Sequence, residues 1–282
     1  MKQEVKKYNN NMHVYGFVND IRMNDTESGK KAINLDVATL ESFKKEDGTV
    51  QNIRTYHDVV MYTDDKKVIA KYEKIAAALK KNAENKGVEG FEPEVHTVSL
   101  DGILVGKKDS RDLQVMAKPE NVSLDVKQAD KEVRNRAEIV GNIASIDVYP
   151  EKNFATMTVA HHYRPEGSKK EGESIDTFIP VRVSGARMYS KHTYDALVEG
   201  KLEVGDFIRV RGQLHNNNFE KDEKKQYTMA LDLNSSELIA KKGAKQEQAA
   251  AKKPEAKQEA KPAKKVVPAK KVTPRKKGVQ MQ

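Results

Sequence analysis

The chain of 282 residues contains no cysteine and no tryptophan. Without thiols it has no disulfide framework, thiolate metal site or cysteine nucleophile, which fits a reducing compartment. Nowhere do ~18 apolar residues follow one another as a membrane-spanning helix requires. The opening string MKQEVKKYNNNMHVYGF lacks the apolar core of a secretion signal. A soluble cytoplasmic protein with no membrane partner is therefore expected. P-loop, nucleophile-elbow and HExxH strings are all missing, and the carboxylates are scattered among lysines as on a solvated surface. This pattern points away from catalysis, a small-molecule substrate or a cofactor. His161 and His162 are adjacent, so on a strand they face opposite ways, and no metal site is expected there.

The charge is unevenly placed. The formal net charge is +9, but residues 240–282 alone hold 14 Lys or Arg against 3 Asp or Glu, which leaves 37 against 39 for residues 1–239. The basic segment is almost wholly Ala, Lys, Pro, Gln and Glu, with too little bulky apolar side chain to offset the entropy of ordering it. A disordered basic tail over 240–282 is the expectation, attracted to phosphate by counterion release.

The rest of the chain repeats itself. IRTYHDVVMY, from Ile53 to Tyr62, returns as IDTFIPVRVS, from Ile175 to Ser184, with Ile, Thr, an aromatic and Val in register. Alternation of apolar and polar residues predicts strands around Met12–Val18, Ile33–Ala38, Ile53–Tyr62, Val98–Leu104 and Leu113–Leu124. Helical spacing of Val68, Tyr72, Ile75 and Leu79 predicts a helix between the third and fourth of these. The second half has the same order: strands at Ala137–Val148, Phe154–Tyr163 and Ile175–Ser184, a helical segment Ser190–Val198, then strands Asp206–His215 and Tyr227–Leu238. Gly16 corresponds to Gly141, Val37 and Ala38 to Val159 and Ala160, and Gly102 to Gly212. Five strands with a helix after the third is the order of the OB-fold, a Greek-key barrel. The fold class expected is all-β with minor helix, as two tandem OB-folds: residues 1–126, a linker at 127–136, and residues 137–239.

Such barrels bind single strands by stacking bases on outward aromatics beside cations. Alternation places Thr55, His57, Val59 and Met61 inside and Tyr56, Asp58, Val60 and Tyr62 outside. In the second repeat Phe178, Pro180, Arg182 and Ser184 point out, as do Phe207, Arg209, Arg211 and Gln213. Tyr15 and Phe17 are divided between base contact and subunit pairing, because the second repeat has Val140 and Asn142 there.

The strings ATLESF ending at Phe43, YHDVVMY (56–62), DTFIPVRVSG (176–185) and VRGQLHNNNF (210–219) resemble those of bacterial-type single-stranded DNA-binding proteins, here in a tandem form. The resemblance implies stacking residues at Phe43, Tyr56, Tyr62, Tyr163, Phe178 and Phe219, with Arg182, Arg209 and Arg211 on phosphates. It departs from the family in lacking Trp, in having Ser184 where an aromatic is usual, and in ending on the basic PRKKGVQMQ instead of an acidic tip. It also implies four barrels acting together, hence a homodimer, in the nucleoid of a bacterial or phage-infected cell.

The function expected is sequence-tolerant binding and protection of single-stranded DNA in replication, recombination or repair. Two alternatives stand beside it. One is a nucleoid or virion-internal packaging protein whose tail binds duplex DNA; the other is an OB-fold protein-interaction scaffold, since fold alone does not decide function.

Overall fold

A computed structural model describes residues 10–44, 47–107, 112–127, 134–163, 175–221 and 224–243, without the side chains of 43, 44, 163, 175, 217–221 and 224–227. The first repeat is built from β1 (Asn11–Asp25), β2 (Lys31–Lys44), β3 (Val50–Thr63), α1 (Lys66–Glu84), β4 (Thr97–Gly106) and β5 (Leu113–Leu124). The second has β6 (Asn135–Tyr149), β7 (Phe154–Tyr163), β8 (Ile175–Ser184), α2 (Met188–Val198), β9 (Phe207–Lys221) and β10 (Lys224–Ala240). Each set closes on itself. In the first ring β1 pairs with β2, β2 with β3, β3 in parallel with β5, β5 with β4, and β4 with β1. The second ring runs β6, β7, β8, β10, β9 and back to β6, with β8 and β10 parallel. The expected pair of five-stranded barrels is what the chain forms.

Closure needs each first strand to bend from one neighbour to the next, and glycine permits it. A Cβ on Gly16 would lie 2.5 Å from the Ala38 carbonyl oxygen and 3.0 Å from Val37 Cγ1. One on Gly141 would press on the same atoms of Ala160 and Val159. These are the residues that the sequence repeat aligned. Alternation then fills each interior: Thr55, His57, Val59 and Met61 are buried in the first barrel, and Thr177, Ile179, Val181 and Val183 in the second. The helix α1 starts on Asp65, whose carboxylate accepts the Lys67 N–H, and buries Tyr72 and Ile75.

The barrels join edge to edge. The start of β1 pairs antiparallel with the start of β6, from Asn11↔Glu138 to Val14↔Asn135, so ten strands form one continuous sheet. Strand β6 thus begins two residues inside the stretch expected to be linker. Buried Asn10 and Asn135 play matching parts. The Asn10 amide donates to the Leu104 carbonyl (2.7 Å) and accepts the Leu104 N–H (3.0 Å). Asn135 does the same for Leu214 (2.5 and 3.1 Å). Each side chain supplies the hydrogen bonds that a strand end would otherwise leave unmade.

Further contacts link the barrels. The Gly106 N–H donates to Thr177 Oγ1 at 3.2 Å. His215 Nδ1 lies 2.9 Å from Asp232 Oδ2, and its Nε2 lies 3.3 Å from Glu41 Oε2 of the other barrel. At the far end β10 continues to Ala240, and the fully buried Asp206 accepts from Lys241 Nζ (2.9 Å) and the Lys242 N–H (3.0 Å). The ordered body therefore runs through the first basic residues after 239; residues from 244 onward, where most of the expected tail falls, lie outside the described residues.

Candidate nucleic-acid interface

Strand register decides which outward side chains become neighbours. Phe17 pairs with Ala38, and Ala38 with Tyr56, so one rung across β1, β2 and β3 reads aromatic, small, aromatic. Phe17 and Tyr56 are each 42% exposed, and together with Ala38, Leu40 and Arg54 they line an open groove. A methyl between two rings leaves a recess floored by apolar surface, a shape suited to a flat heterocycle. Exposed Arg54 lies two residues before Tyr56 on the same face. The corresponding rung of the second barrel is Asn142, Ala160 and Phe178. There Phe178 is 57% exposed, while the Asn142 amide is occupied by the Gly205 carbonyl at 3.0 Å. Tyr62, at the end of β3, is also exposed.

Phe17 thus lines the candidate groove, a placement that strand pattern alone left undecided. Its neighbour in alternation, Tyr15, is buried, with its hydroxyl donating to the Val126 carbonyl at 3.1 Å. Tyr15 supports the junction and Phe17 the face. Val60, expected on the outward face, is covered there and only 3% exposed. It sits in the rung between Asn34 and Met116, and its counterparts Arg182 and Asp232 form an ion pair instead.

The electrostatics divide the first face. Past the aromatic rung lie Asp20, Asp36 and Asp58, with Asp36 directly opposite Asp58. Burial, together with the charges of Asp58 and Asp20, pushes the Asp36 carboxyl up despite the hydrogen bond from Asn19. Asp58 is paired with Lys107, and Arg22 is 3.4 Å from Asp20. Lys107 and Arg22 thus offset part of this acidic strip, while Arg54 lies on the other side of the aromatic rung.

The three arginines expected on phosphates do not sit together. Arg182 lies on β8 and binds Asp232 at 2.5 Å. Arg209 and Arg211 lie on β9, held by Glu138 at 3.3 and 2.5 Å, and Arg209 also meets Glu237 at 2.6 Å. A carboxylate partner offsets the charge each offers a phosphate, so contact there requires exchange of partners. Asp232 stays ionised: burial raises its pKa, but His215 and Arg182 together bring it below the usual carboxylate range. Phe43, Tyr163 and Phe219 occupy β2, β7 and β9, and their side chains lie outside the described residues.

The histidine pair separates as alternation requires. His161 is buried, with Nδ1 2.7 Å from the Val140 carbonyl oxygen; His162 is exposed, 2.6 Å from Asp176. Among the described residues there is no group of three or more His, Cys, Asp or Glu that could hold a metal ion.

No protein-family model matches the chain, and no curated protein matches it. Solved structures do. The wild-type single-stranded DNA binding protein from Thermus aquaticus aligns over 82% of this chain and 93% of its own, with a TM-score of 0.50 and 16% identity. A deletion variant of the same protein aligns over 82% and 95%, with a TM-score of 0.51 and 15% identity. What is shared is the tandem-barrel fold.

Proposed function

We propose that this chain binds single-stranded DNA with little sequence preference, without chemical turnover, and protects it during replication, recombination or repair. The observation that carries the reading is the matched pair of outward rungs, Phe17–Ala38–Tyr56 and Asn142–Ala160–Phe178. Both repeats present an exposed aromatic beside an alanine on the third strand. Every base has a π-face, so stacking there is sequence-tolerant, at ~1–3 kcal/mol per base. The fold shared with the Thermus aquaticus protein supports the same reading.

Intrinsic tyrosine fluorescence during titration with oligo(dT) tests it directly. Quenching is expected, weakened by Tyr56→Ala and Phe178→Ala; no binding at low salt would overturn the reading. Two copies of the chain would present four barrels. Since the starts of β1 and β6 already pair within one chain, such a homodimer would use other surfaces.

A second activity follows from charge. The net +11 of residues 240–282 supports salt-sensitive attraction to duplex DNA. Truncation after Gly243 keeps the Lys241 and Lys242 contacts to Asp206 and separates the roles. Single-strand binding should survive and duplex binding should fall.

A further inference from the structure

One rung of the face is occupied oppositely in the two repeats. In the first, Ala32 of β2 pairs with Tyr62 of β3, and Asn24 of β1 lies beside Ala32. In the second, the same places hold Phe154, Ser184 and Tyr149. The position where the third strand lacks an aromatic is therefore flanked by one on the second strand. Ser184 looks like a loss only when the strand is read alone.

The surroundings of this rung place stacked rings beside a cleft lined by two arginines. The rings of Tyr149 and Phe154 stack at 6.4 Å between centroids and 26° between planes, with Lys152 Nζ 5.6 Å from the Tyr149 ring centre. The tight turn Pro150–Lys152, with Asn153 in the left-handed region at φ 49°, brings them together. The Asn153 carbonyl accepts the Gly185 N–H at 2.9 Å and so ties this turn to the end of β8. Beside Phe154 a cleft opens, lined by Arg182, Ser184, Arg187 and Asp232. Among the described residues Asp232 is the single carboxylate lining it: Arg182 lies at 2.5 Å and Arg187 at 3.6 Å, and the Arg187 side chain is 58% exposed. Two guanidiniums against one carboxylate leave a surplus of positive charge at the mouth.

We propose that Phe154, backed by Tyr149, is the stacking platform that ends the second barrel's face, with Arg187 holding the adjoining phosphate of a single strand. The inference rests on the single-strand reading above. The second barrel then carries two separated stacking points, Phe178 and Phe154, on neighbouring strands, where the first carries Tyr56 and Tyr62 on one strand. A bound strand crosses the two barrels at different angles to their third strands.

The test uses the full chain and oligo(dT). Phe154→Leu keeps apolar bulk and removes the π-face; about tenfold weaker binding is expected, within the range of a lost base stack. Phe154→Leu combined with Ser184→Tyr puts the aromatic where the first repeat has it and should restore most of that loss. Arg187→Ala, which leaves the backbone cap of α2 in place, should lower the slope of log K against log salt by about 0.7, one single-strand phosphate. Unchanged affinity in Phe154→Leu and an unchanged slope in Arg187→Ala, with Phe178→Ala still weakened, would overturn this inference and leave the single-strand reading standing. Absence of binding by the unaltered chain would remove both.

Discussion

Met12 and Ala137 pair directly across the junction of the two barrels, and each stands four residues before the glycine that bends its strand, Gly16 or Gly141. An antiparallel pair of equivalent residues marks a local two-fold axis. The two repeats are therefore related as the halves of an isologous dimer, but joined in one chain. The Asn10 and Asn135 amides, doing the same task for Leu104 and Leu214, obey the same axis.

Separating the repeats should expose that edge. Residues 1–126 contain a closed ring, yet the Asn11–Val14 edge loses its partner strand. An unpaired edge is a template for another chain. The fragment should dimerise in light scattering at micromolar concentration, with β1 of one copy replacing β6. A monomer with free β1 amides exchanging rapidly would count against the axis.

The bending glycines should tolerate nothing larger. Gly141→Ala forces a Cβ against the Ala160 backbone carbonyl and the Val159 Cγ1, and overpacking of this kind costs about 1–3 kcal/mol. Gly106→Ala meets nothing within 4 Å and should be near neutral. Urea unfolding of the two variants makes the comparison; equal stability would show that β6 relaxes freely.

Two histidines should shape stability against pH from opposite sides. His57 is fully buried in the first barrel, with Nε2 3.1 Å from Thr39 Oγ1. Burial, then the charge of His215, pushes its pKa from 6.5 to about 3. The unfolded chain therefore binds the extra proton between these values, so stability falls as pH drops below 6.5. For His215, burial acts downward, but hydrogen bonds and charge from Asp232 and Glu41 outweigh it and raise the pKa from 6.5 to about 9. Its contribution is full below 6.5 and is lost as pH rises through 9. Each acts with a slope of up to about 1.4 kcal/mol per pH unit. Melting temperature should peak near neutrality; His57→Gln should flatten the acid side and His215→Gln the alkaline side. Unchanged profiles in both variants would refute the assignment.

The aromatic rung of the first barrel should act as a unit. Tyr56→Ala and Phe17→Ala should each weaken oligo(dT) binding, by roughly 1–3 kcal/mol for the stacking ring. The double variant should lose less than the two added, because both line one recess. Additive losses would mean that the rings hold separate bases.

Strand order, both helices and the inward residues of each barrel were legible because period-two alternation and glycine placement are local properties of the chain. Tyr56 and Phe178 could be placed outside for the same reason. Phe17 could not be divided from Tyr15, because the difference is the residue across the strand: Ala38 opens a recess beside Phe17, while the Tyr15 hydroxyl is taken up by Val126. Val60 reads as outward on its strand and is covered there, between Asn34 and Met116 of the next ones.

By itself, then, the sequence determined that the chain is a duplicated five-stranded barrel with aromatics on its outer face, since backbone alternation sorts each residue to one side of its own strand. Only the tertiary structure decided the register between strands, and with it three things: the antiparallel Met12–Ala137 junction, the engagement of Arg182, Arg209 and Arg211 by carboxylates, and the exchange of aromatic and small residue between Ala32–Tyr62 and Phe154–Ser184. A strand knows which way its side chains point; which side chains they meet depends on a neighbour distant in sequence, and that pairing is settled when the barrels close.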